Sequence, residues 1–248
     1  SGKTWTLARL AAELIRSGTL EDDQEILIVT LVNSAVDNFY QRVSNFILES
    51  NLLPSVGYRV RTLHGLAHDI VRERPELAGL DNQFQIIDER EADSILSDIV
   101  TAWLRGHPEH LDAYFKHDID EARRAQICQR DLPRLLEALG KNIIRYAKDQ
   151  SWTADLLRAK IDQLPVSLPL AEIGAQFYAD YQRALAYRGA VDFDDLIRLA
   201  LFVLEQDKDL LQRLQHAWPY ILEDEAQDSS LLQQAILSKL AGEAGNWV

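Results

Sequence analysis

The sequence predicts an α/β fold, a parallel sheet with helices on both faces, interrupted by a long helical block. Three observations lead there. Short apolar, β-branched runs alternate with amphipathic helical stretches early in the chain; the alternation stops after residue 87; and it resumes near residue 189. Residues 4–17 place Leu7, Leu10, Ala11, Leu14 and Ile15 at helical spacing, and Gly18 is a natural stop. Residues 25–31 (EILIVTL) are apolar throughout their middle, as a strand buried on both faces requires. Residues 34–50 are helical again, with Ala35, Phe39, Val43, Phe46 and Ile47 on one face. Residues 58–62 form a second strand and 65–72 the helix after it.

The middle of the chain differs. From 88 to 188 the pattern is helical, with Leu96, Ile99 and Leu104 in one helix and Leu132, Leu135, Leu136 and Leu139 in another. The two prolines of 163–170 (QLPVSLPL) make that stretch a loop. The expected organisation is therefore 1–87 as the first part of an α/β domain, 88–188 as a helical insertion and 189–248 as the second part. In that last part, 193–204 is an apolar helix capped by Asp192 or a neighbour, and 220–222 is a strand running into acidic residues. Asp228 and Ser229 offer caps for a helix over 231–240, and 246–248 opens one more strand. No repeat or low-complexity tract is present.

Bulk properties narrow the function. With 248 residues, 47% of them hydrophobic, the chain can bury a core in one or two domains. No apolar run reaches the ~18 residues that span a bilayer, and no basic-then-apolar leader opens the chain. Cys128 has no second cysteine to pair with, so a reducing, cytoplasmic setting without membrane partners is expected. The chain starts at Ser1 and contains no Met, and is expected to be a piece of a longer one. A net charge of −13 argues against a non-specific nucleic-acid coat protein but allows a local basic surface. Arg123, Arg124, Arg130, Arg134, Lys141, Arg145 and Lys148 supply a candidate, whose ordinary reading is a solvated helix face.

Two motifs carry chemistry. Ser1-Gly2-Lys3-Thr4 matches the tail of a G-x-x-x-x-G-K-[ST] loop, in which backbone N–H groups cradle phosphates, Lys reaches the β/γ-phosphates and Thr meets Mg²⁺. A helix must follow so that its positive end faces the phosphates, and the 4–17 pattern supplies it. Far downstream, Ile221-Leu222-Glu223-Asp224-Glu225 places carboxylates directly after a buried strand, an arrangement that a divalent cation relieves. Asp224 is the metal-side candidate, with Glu223 the alternative, and Glu225 the candidate base for an attacking water. Each motif alone has a bland reading, a chance GKT or an acidic helix start; together they complete one site.

At this point the sequence resembles the UvrD/Rep-type superfamily 1 DNA helicases. Asp224-Glu225-Ala226-Gln227-Asp228 resembles their motif II, and Thr30-Leu31-Val32-Asn33-Ser34-Ala35 their motif Ia. Thr62-Leu63-His64-Gly65-Leu66-Ala67 is similar to the T-F-H-S-L-A segment that follows, and Val191-Asp192-Phe193-Asp194-Asp195-Leu196 to a D-F-D-D-L string before motif II. The resemblance implies a P-loop, RecA-like sheet with a helical subdomain, 1B, inserted at about 88–188 and facing DNA. It implies ATP and Mg²⁺ as cofactors, with Ser1, Gly2, Lys3 and Thr4 at the nucleotide, Thr4 and Asp224 at the metal, and Lys3, Glu225 and Gln227 in catalysis, Gln227 sensing the γ-phosphate. It implies single-stranded DNA and single-strand/duplex junctions as partners, contacted by Thr30, Asn33, Thr62 and His64, and translocation 3′ to 5′. His64 alone reads as a buried, hydrogen-bonded histidine. Leu31, Val32 and Gly65 depart from the family pattern, and Leu31 lacks the aromatic stacking worth ~1–3 kcal/mol per base. A second RecA-like domain of the same parent chain, with its arginine finger, is a further implied partner, so these residues alone are expected to be nearly inactive. A different P-loop ATPase, a helicase-nuclease of the RecB/AddA kind and a non-catalytic helicase-like scaffold remain alternatives.

Overall fold

Five consecutive residues of Ile26–Thr30 are buried, which only a strand covered on both faces can achieve. The computed structural model describes residues 2–49, 56–108, 119–243 and 245–248. Along the chain they form α1 (Lys3–Arg16), β1 (Ile26–Thr30), α2 (Asn33–Glu49), β2 (Tyr58–Thr62), α3 (Leu63–Glu73), β3 (Gln85–Ile86), α4 (Glu89–Gly106), α5 (Glu121–Gln126) and α6 (Leu132–Asp149). There follow α7 (Ala154–Asp162), α8 (Pro169–Tyr187), β4 (Ala190–Val191), α9 (Phe193–Gln206), α10 (Lys208–Ala217), β5 (Tyr220–Glu223) and α11 (Leu231–Ala241). They divide into two compact units, one of Ser1–Asn82 with Leu196–Val248, the other Gln83–Asp195. Among the described residues no helix is long and apolar enough to cross a membrane.

The first unit is built on a small parallel sheet of order β2-β1-β5. Ile26 and Ile28 point to the face packed by Ala8 and Ala11 of α1 and Phe39, Val43 and Ile47 of α2. Leu27, Val29 and Ile221 alternate to the other face and are buried as well, so both faces are covered. The end of the chain adds to the free edge of β5: Ile221 pairs in parallel with Trp247, and Glu223 N–H donates to the Val248 carbonyl at 2.7 Å. The strand expected to open at 246–248 is therefore engaged with the sheet.

The second unit is helical around one core, with Leu96 and Val100 of α4, Leu136 and Ile144 of α6, and Phe177, Tyr178 and Tyr181 of α8 at its centre. Asp88 caps α4 by accepting from the Glu91 N–H at 2.9 Å. Helices α6 and α8 approach on reciprocal glycines. A Cβ at Gly174 would lie 2.1 Å from Ile143 Cδ1 and 3.3 Å from its Cβ, and one at Gly140 3.2 Å from Phe177 Cδ2 of α8. Gly174→Val is accordingly expected to destabilise the chain by about 1–3 kcal/mol through overpacking, read as a lower urea midpoint; an unchanged midpoint would mean that the helices part freely.

Two features depart from the sequence expectation. Gln85 and Ile86 pair in parallel with Ala190 and Val191, a two-stranded ribbon just outside the two borders of the 88–188 block, where no strand was expected. Between α5 and α6, Ile127–Asp131 is a π turn in which the Leu132 N–H reaches back to Ile127. Pro133 has no N–H and its ring crowds the carbonyl four residues earlier, so widening this turn accommodates it.

Candidate nucleotide and nucleic-acid site

In a parallel sheet all strands end on one edge, and in open α/β sheets ligands bind there. Thr30 closes β1 opposite Thr62 at the end of β2, and Glu223 closes β5 opposite Val29. The next residue, Asp224, is anchored by its N–H to the Val29 carbonyl at 2.9 Å.

The start of α1 meets this edge. Thr4 Oγ1 donates to Asp224 Oδ2 at 3.1 Å across 220 residues of sequence. Lys3 Nζ donates to Gln227 Oε1 at 3.4 Å and lies 3.7 Å from Glu225 Oε2. Gly2 precedes the helix with no side-chain cap bond, and nothing stands within 4 Å of where its Cβ would be. The first-turn N–H groups and the Lys3 ammonium thus form an electropositive helix start suited to phosphate. Ser1, the remaining nucleotide-site candidate, lies outside the described residues.

Asp224 is buried, and its Oδ1 has no hydrogen-bond partner. A buried carboxylate oxygen without a partner is costly, and a cation ligated there would remove that cost. The donor set, this hard oxygen beside a threonine hydroxyl, suits Mg²⁺. Glu225 adopts a left-handed backbone (φ 62, ψ 37), which a glutamate reaches only at a cost of about 1–3 kcal/mol. The 3-10 turn Ala226–Asp228 then folds Gln227 back so that its Nε2 donates to Glu225 Oε2. That hydrogen bond first, and the charge of Lys3 second, hold the Glu225 carboxyl below its usual range.

Glu223, the alternative metal-side residue, is already engaged. It is buried and accepts from Ser229 Oγ and, at 3.0 Å, from Trp247 Nε1. The helix α11 is capped by Ser230 in a capping box with Gln233, not by Asp228 or Ser229 as expected, because Ser229 is committed to Glu223.

The four candidate nucleic-acid residues all sit on the same sheet edge but differ in availability. Thr30 is buried and its hydroxyl donates to the Val32 carbonyl at 3.1 Å. Thr62 caps α3, accepting from the Gly65 N–H at 3.1 Å. Asn33 is exposed at the start of α2. His64 is half-buried in the first turn of α3, and burial lowers its pKa.

Among the basic residues at 123–148, Lys141 and Lys148 are engaged by carboxylates. Lys141 contacts Asp93 and Glu89, each at 3.0 Å, and those hydrogen bonds raise its pKa. Lys148 is 1% exposed and donates to Asp192 at 2.5 Å and Asp195 at 2.9 Å, while Tyr181 donates to Asp192 at 2.8 Å. The D-F-D-D-L string thus holds a buried ammonium, a partner that its spacing alone does not reveal. Asp192 also caps α9, accepting from the Asp195 N–H at 2.8 Å.

The whole chain, residues 1–248, matches the family model described as the UvrD/REP helicase N-terminal domain. It is 29% identical over 235 residues to DNA helicase II of Rickettsia typhi, covering 94% of this chain and 30% of that protein. It is 28% identical over 243 residues to ATP-dependent DNA helicase UvrD1 of Mycobacterium leprae (98% of this chain, 27% of that protein). It is 24% identical over 246 residues to ATP-dependent DNA helicase PcrA of Staphylococcus aureus (99% and 29%). The chain therefore spans less than a third of the length of these relatives.

Proposed function

Since the chain belongs to the UvrD/REP helicase N-terminal domain family, we propose that it is the ATP-binding and hydrolysis region of a helicase that moves 3′ to 5′ on single-stranded DNA and unwinds duplex. The observation that carries this reading is the meeting of Lys3 and Thr4 with Asp224, Glu225 and Gln227, in one polar cluster at the carboxyl edge of the sheet. Gly2, Lys3 and Thr4 bind the phosphates, Lys3 by charge and the first turn of α1 by its N–H groups. Asp224 and Thr4 would hold Mg²⁺, which neutralises phosphate charge when bound; both oxygens of Glu223 are committed elsewhere, which leaves this role to Asp224. Glu225 orients the attacking water and takes its proton. Gln227 touches both Lys3 and Glu225, a position from which it reports the state of the γ-phosphate to the DNA-facing edge.

Asn33 and His64 are the side chains offered to single-stranded DNA, with Thr30 and Thr62 shaping the backbone beneath them. The helical unit Gln83–Asp195 is the inserted 1B-like subdomain, and the basic residues it offers toward DNA include Arg123, Arg130, Arg134 and Arg145. A second RecA-like domain completes the motor with an arginine, so these 248 residues alone turn over little ATP.

The test is ATP turnover by the full-length protein with and without single-stranded DNA. Stimulation by DNA, weakened by salt as phosphate contacts require, is the expected result. Turnover indifferent to DNA would point to another kind of P-loop ATPase, and no turnover to a scaffold.

A further inference from the structure

We propose that Glu223 is a positioning residue of this site, a strut that ties the turn bearing Asp224 and Glu225 to the chain segment at Trp247. The inference rests on the ATPase reading above and extends it to a residue outside the motif. Glu223 is 5% exposed at the last position of β5, where an apolar side chain would pack without electrostatic cost. It is instead the first of three successive carboxylates, Glu223, Asp224 and Glu225. Burying a carboxylate is tolerated only when hydrogen bonds replace its water, and here each oxygen has a donor.

The two donors come from different places. Ser229, which ends the 3-10 turn Ala226–Asp228, donates to Oε1 and closes a loop around Asp224, Glu225 and Gln227. Trp247 donates to Oε2 at 3.0 Å from the segment that extends the sheet beyond β5. That segment is itself bonded to β5 through Ile221 N–H to Asn246 carbonyl at 2.9 Å and Val248 N–H to Ile221 carbonyl at 3.1 Å. One carboxylate therefore fixes both the far end of the catalytic turn and its register against the neighbouring strand. Such charge-assisted bonds are about twice as strong as neutral ones. A shift of Gln227 or Glu225 is carried through Ser229 and Glu223 to Trp247.

The test compares Glu223→Ala, Glu223→Gln and Ser229→Ala in the full-length protein, reading kcat and KM for ATP beside the melting temperature. Glutamine keeps the shape, its carbonyl accepting from Trp247 and its amide donating to the Ser229 hydroxyl. We expect Glu223→Ala to lower kcat by about tenfold with KM changed less than about twofold, as for an interaction used in the transition state. Glu223→Gln should recover most of that loss, and Ser229→Ala, which leaves the strand contact intact, should give a smaller drop at an unchanged melting temperature. Wild-type kcat in Glu223→Ala, a loss that tracks the melting temperature alone, or a Gln variant no better than Ala would each overturn the strut. If the wild-type protein turns over no ATP, the ATPase reading fails first and the strut falls with it; turnover by wild type with these variants unimpaired removes the strut alone.

Discussion

Glu225→Gln in the full-length protein is expected to lower the rate of ATP hydrolysis by about 10²–10⁴-fold, the contribution of a positioned general base, while ATP affinity stays close to wild type. Glutamine preserves the length of the side chain and can still bond Gln227, but it cannot accept a proton from water. Binding should survive because Lys3 and the first turn of α1, the groups proposed to bind phosphate, are untouched. The local charges define the pH dependence. Gln227 and Lys3 hold the Glu225 carboxyl below its ordinary 4.5, so the base is ionised at neutral pH. The activity it supports is lost only as pH falls through that lowered value. Single-turnover hydrolysis with radiolabelled ATP measures the chemical step directly. A variant within about threefold of wild type would remove Glu225 from the base role.

Lys148→Ala should be the most destabilising single change in the helical unit, by about 3–5 kcal/mol, because it strands two carboxylates without their cation. Lys148 is 1% exposed, and the side chain of Asp195 is 3% exposed. Burial alone would raise the pKa of Asp192; the charge and hydrogen bond of Lys148, the Asp195 N–H and the Tyr181 hydroxyl outweigh it and hold the pKa below 3.8. A carboxylate depressed on folding stabilises the protein above its unfolded pKa, and that contribution disappears as pH falls through the folded value. Asp194 works the other way. Burial first and the Asp192 charge second raise its pKa, so it takes up a proton more readily when folded. Without Lys148, burial raises the pKa of Asp192 too, which then joins Asp194 in that behaviour. Urea denaturation should therefore show stability rising as pH falls through the raised carboxyl pKa values, more steeply in the variant than in the wild type, where Asp194 behaves so and Asp192 opposes it. Equal midpoints for the two proteins would show that the buried network contributes nothing, whereas recovery in Lys148→Met combined with Asp192→Asn and Asp195→Asn would identify the stranded charges as the cause.

What could be read from the sequence was local and periodic. The run EILIVTL specifies a strand buried on both faces because β-branched residues fill both sides of a pleat. GKT before an amphipathic helix, and DEAQD after a short apolar strand, point to phosphate and metal chemistry because such sites require those groups at those spacings. Tertiary structure decided the rest. Thr4 and Asp224 are 220 residues apart in sequence, and only the parallel pairing of β1 with β5 brings their elements to one edge. The ribbon of Gln85–Ile86 with Ala190–Val191 is too short for any alternation to show. Lys148 looks like one more exposed base on a helix; its burial depends on where α8 and the start of α9 lie. Thr30 and Thr62 match a DNA-contact pattern, yet their hydroxyls are taken by backbone groups within three residues. Glu223 shows the same division. Its carboxylate is legible as chemistry, but what it does depends on the donors opposite it, Ser229 and Trp247, and hydrogen-bond partners are set by packing geometry, which no spacing along the chain encodes.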